Sequence, residues 1–118
     1  MKTLKLIFLF MIISQTLLAS DGVAVNEPAK LFKVLNQEGK IFDLSARKGT
    51  WTVLYFFPKA GTPGCTKQAC SFRDNIKKIR AQNAEVFGIS TNSVKEQAEF
   101  AKEHNLNFIL LADEKAEV

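Results

Sequence analysis

Cys65 and Cys70 are the two cysteines of this 118-residue chain, and Cys65 closes the run Thr62-Pro63-Gly64-Cys65. Thr is a good helix N-cap and Pro suits the first helical position, so the run predicts a helix start with Cys65 in its first turn. Unpaired backbone N–H groups and the positive end of the dipole favour a thiolate at such a place. Gly64 leaves room for a small substrate to approach the backbone. A free thiol of pKa about 8.5 is only about 3% ionised at pH 7, whereas a pKa near 6 gives roughly 90%. That shift needs ~3.4 kcal/mol, and a helix terminus supplies at most ~2. A cation must supply the rest, and Lys59, Lys67 and Arg73 are the local candidates. The bland alternative makes Cys65 a small buried hydrophobe at the top of an apolar stripe.

Cys70 stands five residues on, and a C-x4-C pair is neither a redox C-x-x-C nor a common zinc spacing. It is either inert helix packing or the redox partner of Cys65. His104 falls near a helix C-terminus, where a solvated His suits the dipole, and it receives no role. Pro58, just ahead of the cysteine loop, ends a strand.

The elements that position these residues follow from periodicity. Short alternating runs at 31–35 and 40–44 flank Asn36-Gln37-Glu38-Gly39, which suits a β-hairpin with Gly39 left-handed. Residues 51–57 are nearly continuous apolar and β-branched, the pattern of a strand buried on both faces. Cys65, Ala69, Phe72, Ile76 and Ile79 form one helical stripe after Thr62-Pro63. Residues 85–90 predict a second buried strand, and Ser93-Val94-Lys95-Glu96 has the capping-box spacing for a helix to about His104. Residues 108–111 read as a third strand, and a further helix is expected from Asp113. Strand, helix, strand, helix, strand after a hairpin gives an α/β fold with parallel pairing and right-handed crossovers, in three layers.

The first twenty residues carry a different signal. Lys2 and Lys5 precede the apolar run 6–13, and Leu17-Leu18-Ala19-Ser20 ends on small residues, as in an export signal peptide. The apolar run is shorter than the ~20 residues a membrane span needs. Residues 1–20 are therefore expected to be a signal peptide, with an uncleaved signal anchor as the rival reading, and 21–118 a single domain, exported to the periplasm or secreted. A disulfide is permitted there. The formal charge is +4, but with Lys2 and Lys5 in the leader 14 basic residues face 12 acidic ones beyond it. Interleaved along the chain, that balance gives no basic patch for nucleic acid. Two cysteines and one histidine exclude a four-cysteine zinc site and a disulfide-dense framework.

The nine residues Pro58-Lys59-Ala60-Gly61-Thr62-Pro63-Gly64-Cys65-Thr66 resemble the peroxiredoxin active-site motif Pro-x-x-x-Thr-x-x-Cys. Leu54-Tyr55-Phe56-Phe57 before it and Cys70 after it resemble the PrxQ or bacterioferritin-comigratory-protein branch. The resemblance runs from about Val25 to Asp113. It implies a thioredoxin-like fold and a cofactor-free thiol peroxidase reducing hydrogen peroxide and organic hydroperoxides. Cys65 matches the peroxidatic cysteine, which becomes a sulfenic acid. Cys70 matches the resolving cysteine, Thr62 the residue whose hydroxyl holds the peroxide, and Pro58 the ring that shields the thiolate. The backbone N–H of Cys65 would help polarise the peroxide. A thioredoxin-like protein is the implied reductant, and the chain is expected to act as a monomer without stable membrane association once the leader is cleaved.

The resembled branch also uses an Arg beside the thiolate, from a later segment than any in this sequence. The chain is therefore expected to be incomplete at its C-terminus, with that Arg beyond Val118. A second departure is Thr91-Asn92-Ser93, where the branch usually carries an acidic residue before the Ser. Two other functions compete with the peroxidase. An exported thiol–disulfide oxidoreductase is disfavoured by the missing C-x-x-C. A copper-binding thioredoxin-fold module would use both cysteines and His104, whose placement is poor for it.

Overall fold

The computed structural model describes residues 22–118. The expected leader at 1–20 lies outside the described residues. β1 (Lys33–Asn36) and β2 (Ile41–Asp43) form the hairpin, with Lys33 opposite Asp43 and Leu35 opposite Ile41. Its turn works as the sequence requires: Gly39 is left-handed at φ +74°, and Asn36 Oδ1 accepts from the backbone N–H groups of Glu38 and Lys40. A 3-10 turn over Leu44–Arg47, capped by Asp43, was not legible in the sequence.

β3 (Trp51–Phe56), β4 (Ala84–Ser90) and β5 (Ile109–Ala112) pair in parallel, linked by α1 (Pro63–Arg80) and α2 (Val94–Glu103). β1 joins β5 antiparallel, giving the sheet order β2-β1-β5-β4-β3. Both crossovers step in the same direction along the sheet, so right-handed connections put both helices on one face. One cluster accordingly unites Tyr55, Phe57, Val86 and Leu110 with Cys65, Ala69 and Ile76 of α1 and Phe100 of α2. The opposite face carries Phe42, Phe87, Ile89 and Leu111. The α/β class and parallel core stand as expected, while the described residues build the sheet and one helix layer rather than three layers.

Two other expectations are corrected. β3 is not buried on both faces: Trp51 is 75% exposed and Phe56 61%. Among the described strands β3 is at the sheet edge, and Phe56 points to the face without helices. The helix expected from Asp113 is instead a turn, with Ala116 at φ +51° and Asp113 accepting from the backbone N–H groups of Glu117 and Val118. The capping box of α2 forms as the spacing requires. Ser93 Oγ accepts from the Glu96 N–H while Glu96 Oε2 accepts from the Ser93 N–H.

Candidate functional site

The loop after β3 delivers Thr62 to the N-cap of α1, whose first backbone bond runs from the Thr66 N–H to the Thr62 carbonyl at 2.9 Å. The Thr62 hydroxyl makes no cap bond. It turns back and donates to the Lys59 carbonyl at 3.1 Å, which leaves the N–H groups of the first turn without a side-chain partner. This corrects the plain N-cap reading: Thr62 has the backbone role of a cap, and its hydroxyl belongs to the loop. Free N–H groups beside Cys65 are what a thiolate, or an oxyanion arriving at it, would use.

Cys65 is buried, 7% exposed, and Cys70 is half-buried; both are free thiols. The expected stripe is intact, with Cys65, Ala69 and Ile76 buried and Phe72 and Ile79 packed against the same cluster. Gly64 is exposed, and a Cβ built on it would meet nothing within 4 Å. Pro58 is also exposed; from the same loop it is Ala60 that packs against the cluster containing Cys65.

Two of the three local cations have other engagements, and the third has none among the described residues. Arg73 donates through Nε to Asp74 at 2.9 Å and through Nη1 to the His104 carbonyl at 2.7 Å. Its guanidinium is held above its ordinary pKa by Asp74, with a smaller contribution from the charge of Cys70. Lys59 contributes to holding the Glu96 carboxyl low. Lys67 is exposed and has no ion pair among the described residues. No ion pair or hydrogen bond among the described residues fixes any of the three on Cys65.

Tyr55 is not singled out by its sequence position, yet it packs in the same cluster as Cys65. Its ring stacks on Phe72 at 4.6 Å and Phe57 at 5.6 Å. Its hydroxyl is buried with no hydrogen-bond partner among the described residues. Burial pushes the phenol well above its ordinary pKa, and the charges of Cys65 and Cys70 push it further, so it stays protonated. The signal that could have found it is Gly88, a glycine inside a buried strand, which marks a close approach. Asn92, noted in the sequence only as a departure from the branch, acquires a partner in the fold. It is buried, and its Oδ1 accepts from the Ala60 N–H at 2.9 Å.

His104 caps α2 with its ring edge-on to Phe100. No group of three or more His, Cys, Asp or Glu among the described residues could hold a metal ion, which removes the geometric basis for the copper module.

A cysteine opening the first helix of a β-α-β-α-β sheet, behind a strand and a hydroxyl-bearing loop, places the chain among thioredoxin-like folds. Residues 25–118 match the AhpC/TSA family model, and the chain belongs to that family. Its similarities fall on the peroxiredoxin Q and Bcp branch. It is 45% identical over 101 residues to Peroxiredoxin Q, chloroplastic, of Triticum aestivum, covering 81% of this chain and 46% of that protein. It is 41% identical over 90 residues to Peroxiredoxin Bcp of Escherichia coli (strain K12), covering 76% of this chain and 58% of that one. Among solved structures, Peroxidoxin BcpB from Mycobacterium tuberculosis superposes with a TM-score of 0.74 at 38% identity, covering 77% of this chain and 60% of that one. The chain thus spans about half the length of the curated relatives it matches.

Proposed function

We propose that the protein is a thiol peroxidase in which Cys65 attacks a hydroperoxide and Cys70 resolves the product. The observation that carries this reading is Cys65 in the first turn of α1, with its neighbouring N–H groups unclaimed by the Thr62 hydroxyl and open space over Gly64. The Cys65 thiolate attacks one peroxide oxygen, the O–O bond breaks, and the alcohol or water leaves with a proton. Cys65 is then a sulfenic acid. The Cys70 thiol displaces its hydroxyl as water, forming a Cys65–Cys70 disulfide. A dithiol protein of the thioredoxin kind reduces that disulfide and is itself oxidised. Thr62 is assigned to hold the peroxide and Pro58 to screen the thiolate, on the motif they share with the resembled family.

The charged, apolar and small-residue stretches of 1–20 support export, to a compartment where the disulfide persists between turnovers. Among the described residues no helix is long and apolar enough to cross a membrane.

The test is rapid mixing of the reduced full-length protein and its cysteine variants with hydrogen peroxide. Cys65→Ser should abolish peroxide consumption. Cys70→Ser should keep a single oxidation of Cys65 to sulfenic acid and lose turnover with thioredoxin. Continued turnover by Cys65→Ser would refute the assignment.

A further inference from the structure

Asn92 sits at the exit of β4, 8% exposed, between the cysteine loop and α2. Its Oδ1 accepts from the Ala60 backbone N–H at 2.9 Å and from Ser90 Oγ at 2.8 Å. Its Nδ2 donates to Glu96 Oε2 at 2.7 Å. Behind it Gln97, 0% exposed, donates from Nε2 to Ser90 Oγ and to the Leu111 carbonyl, both at 2.9 Å. The Asn92 amide thus ties the loop ahead of Cys65 to the end of β4 and the start of α2, and Gln97 extends the network to β5.

The loop needs such a tie. The β3–β4 ladder ends with the Phe57 N–H on the Ile89 carbonyl, and Gly61 turns the chain at φ +85° before α1 begins. Between those points the Ala60 N–H finds its partner in a side chain 32 residues away. Ala60 itself packs against the cluster that contains Cys65. Releasing it frees both the backbone that leads into Thr62 and the carbonyl of Lys59 on which the Thr62 hydroxyl rests.

We propose that Asn92 is a positioning residue for the reaction with peroxide, its Oδ1 pinning the Ala60 amide and so fixing the loop from Pro58 to Thr62 against the start of α1. This rests on the peroxidase reading. The essential atom is the acceptor oxygen. The Nδ2 donor serves Glu96 and the capping box of α2, a separate task. An acidic residue at this position, as the resembled branch usually has, keeps the acceptor and loses the donor. Asn92 does both without placing a second carboxylate 2.7 Å from Glu96.

The experiment uses the full-length protein in a Cys70→Ser background. It compares the rate of Cys65 with hydrogen peroxide, its rate with iodoacetamide, and amide exchange at Ala60. Asn92→Ala should slow the peroxide reaction by about 30-fold, since an ångström of misplacement costs up to about a hundredfold, and leave alkylation within about threefold. Ala60 should lose its protection. The double variant Asn92→Asp with Glu96→Gln restores an acceptor to Ala60 and a donor–acceptor pair to α2, because Gln also closes a capping box. It should return the peroxide rate to within about threefold of the parent, a rescue that tracks the acceptor oxygen. Parental peroxide reactivity in Asn92→Ala, a proportional loss with both reagents, or failure of the double variant to recover would each overturn the proposal. If Asn92→Ala does not fold, Asn92→Ser, whose hydroxyl is too short to reach Ala60, takes its place with the same expectations. A parent inert to peroxide defeats the peroxidase reading. Loop pinning is then decided by Ala60 exchange, and unchanged protection in the variant overturns it.

Discussion

The ring of Tyr55 lies across the backbone of Gly88, its parallel-register partner on β4, so closely that a Cβ there would sit 2.7 Å from both Cζ and Oη. The glycine is what lets a large aromatic lie flat under α1, between the sheet and Phe72. Leu110 Cδ2, at 2.9 Å from the same point, closes the other side. Gly88→Ala should therefore overpack the cluster and cost about 1–3 kcal/mol. Tyr55→Phe removes a buried hydroxyl that has no partner, and should be neutral or stabilising by about 1 kcal/mol. Denaturant unfolding of both variants checks the pair. A neutral Gly88→Ala with a destabilising Tyr55→Phe would show that the ring is held by its hydroxyl instead.

The proposed Cys65–Cys70 disulfide cannot close on the helix as it stands. Five helical residues climb about 7.5 Å and the side chains diverge, whereas a disulfide wants Cα atoms within about 7 Å. On the proposed reaction the first turns of α1 open after Cys65 is oxidised, and the packing of α1 sets where the opening stops. Phe72 is stacked on Tyr55 at 4.6 Å and edge-on to Phe108 at 6.2 Å, so the helix is pinned from there on. Hydrogen exchange on reduced and oxidised protein should show residues 66–72 losing protection and residues 53–57 keeping it. Equal protection at 66–72 in both states, with the Cys65–Cys70 disulfide confirmed by mass, would contradict this.

Much of this was legible because the informative residues act locally. The stripe from Cys65 to Ile79, the Ser93–Glu96 capping box and left-handed Gly39 are each fixed by neighbours within a few positions. What escaped the sequence depends on distant partners. Asn92 meets Ala60 across 32 residues, and Tyr55 meets Gly88 only once β3 and β4 are in register. The Thr62 hydroxyl had two local choices, the helix N–H groups or the Lys59 carbonyl, and residue type alone does not decide between them. The burial of β3 was misjudged for another reason: an apolar run reports what a strand tolerates, not how many neighbours it has.

Gly64 separates stability from access. It is helical with an ordinary φ and open space where a Cβ would go, so nothing in the fold requires a glycine. Gly64→Ala should raise stability by up to about 0.5–1 kcal/mol through the lost conformational freedom of the unfolded chain. On the proposed reaction, that methyl also sits on the first turn of α1, next in sequence to Cys65. The second-order rate with hydrogen peroxide should fall several-fold, and the rate with a bulky hydroperoxide should fall more. A variant that gains stability with both rates unchanged would place the approach elsewhere.

The start of α2 should be acid-sensitive. The Glu96 carboxyl is held below its usual 4.5 by the hydrogen bond from Asn92, then by that from the Ser93 N–H, with Lys59 adding to the effect. A lowered carboxylate pKa means the stabilisation is fully present above the unfolded value of about 4.5 and is lost as pH falls through the lower folded value. Protonation turns an acceptor of two bonds into a weaker one and adds a donor facing Asn92 Nδ2. Amides at the first turn of α2 should therefore exchange faster, relative to those of β4, as the pH is taken from 6 to 3. Glu96→Gln, which keeps the capping geometry without a titrating proton, should flatten that dependence. A pH profile for these amides that is the same in the parent and in Glu96→Gln would show that another group governs the turn.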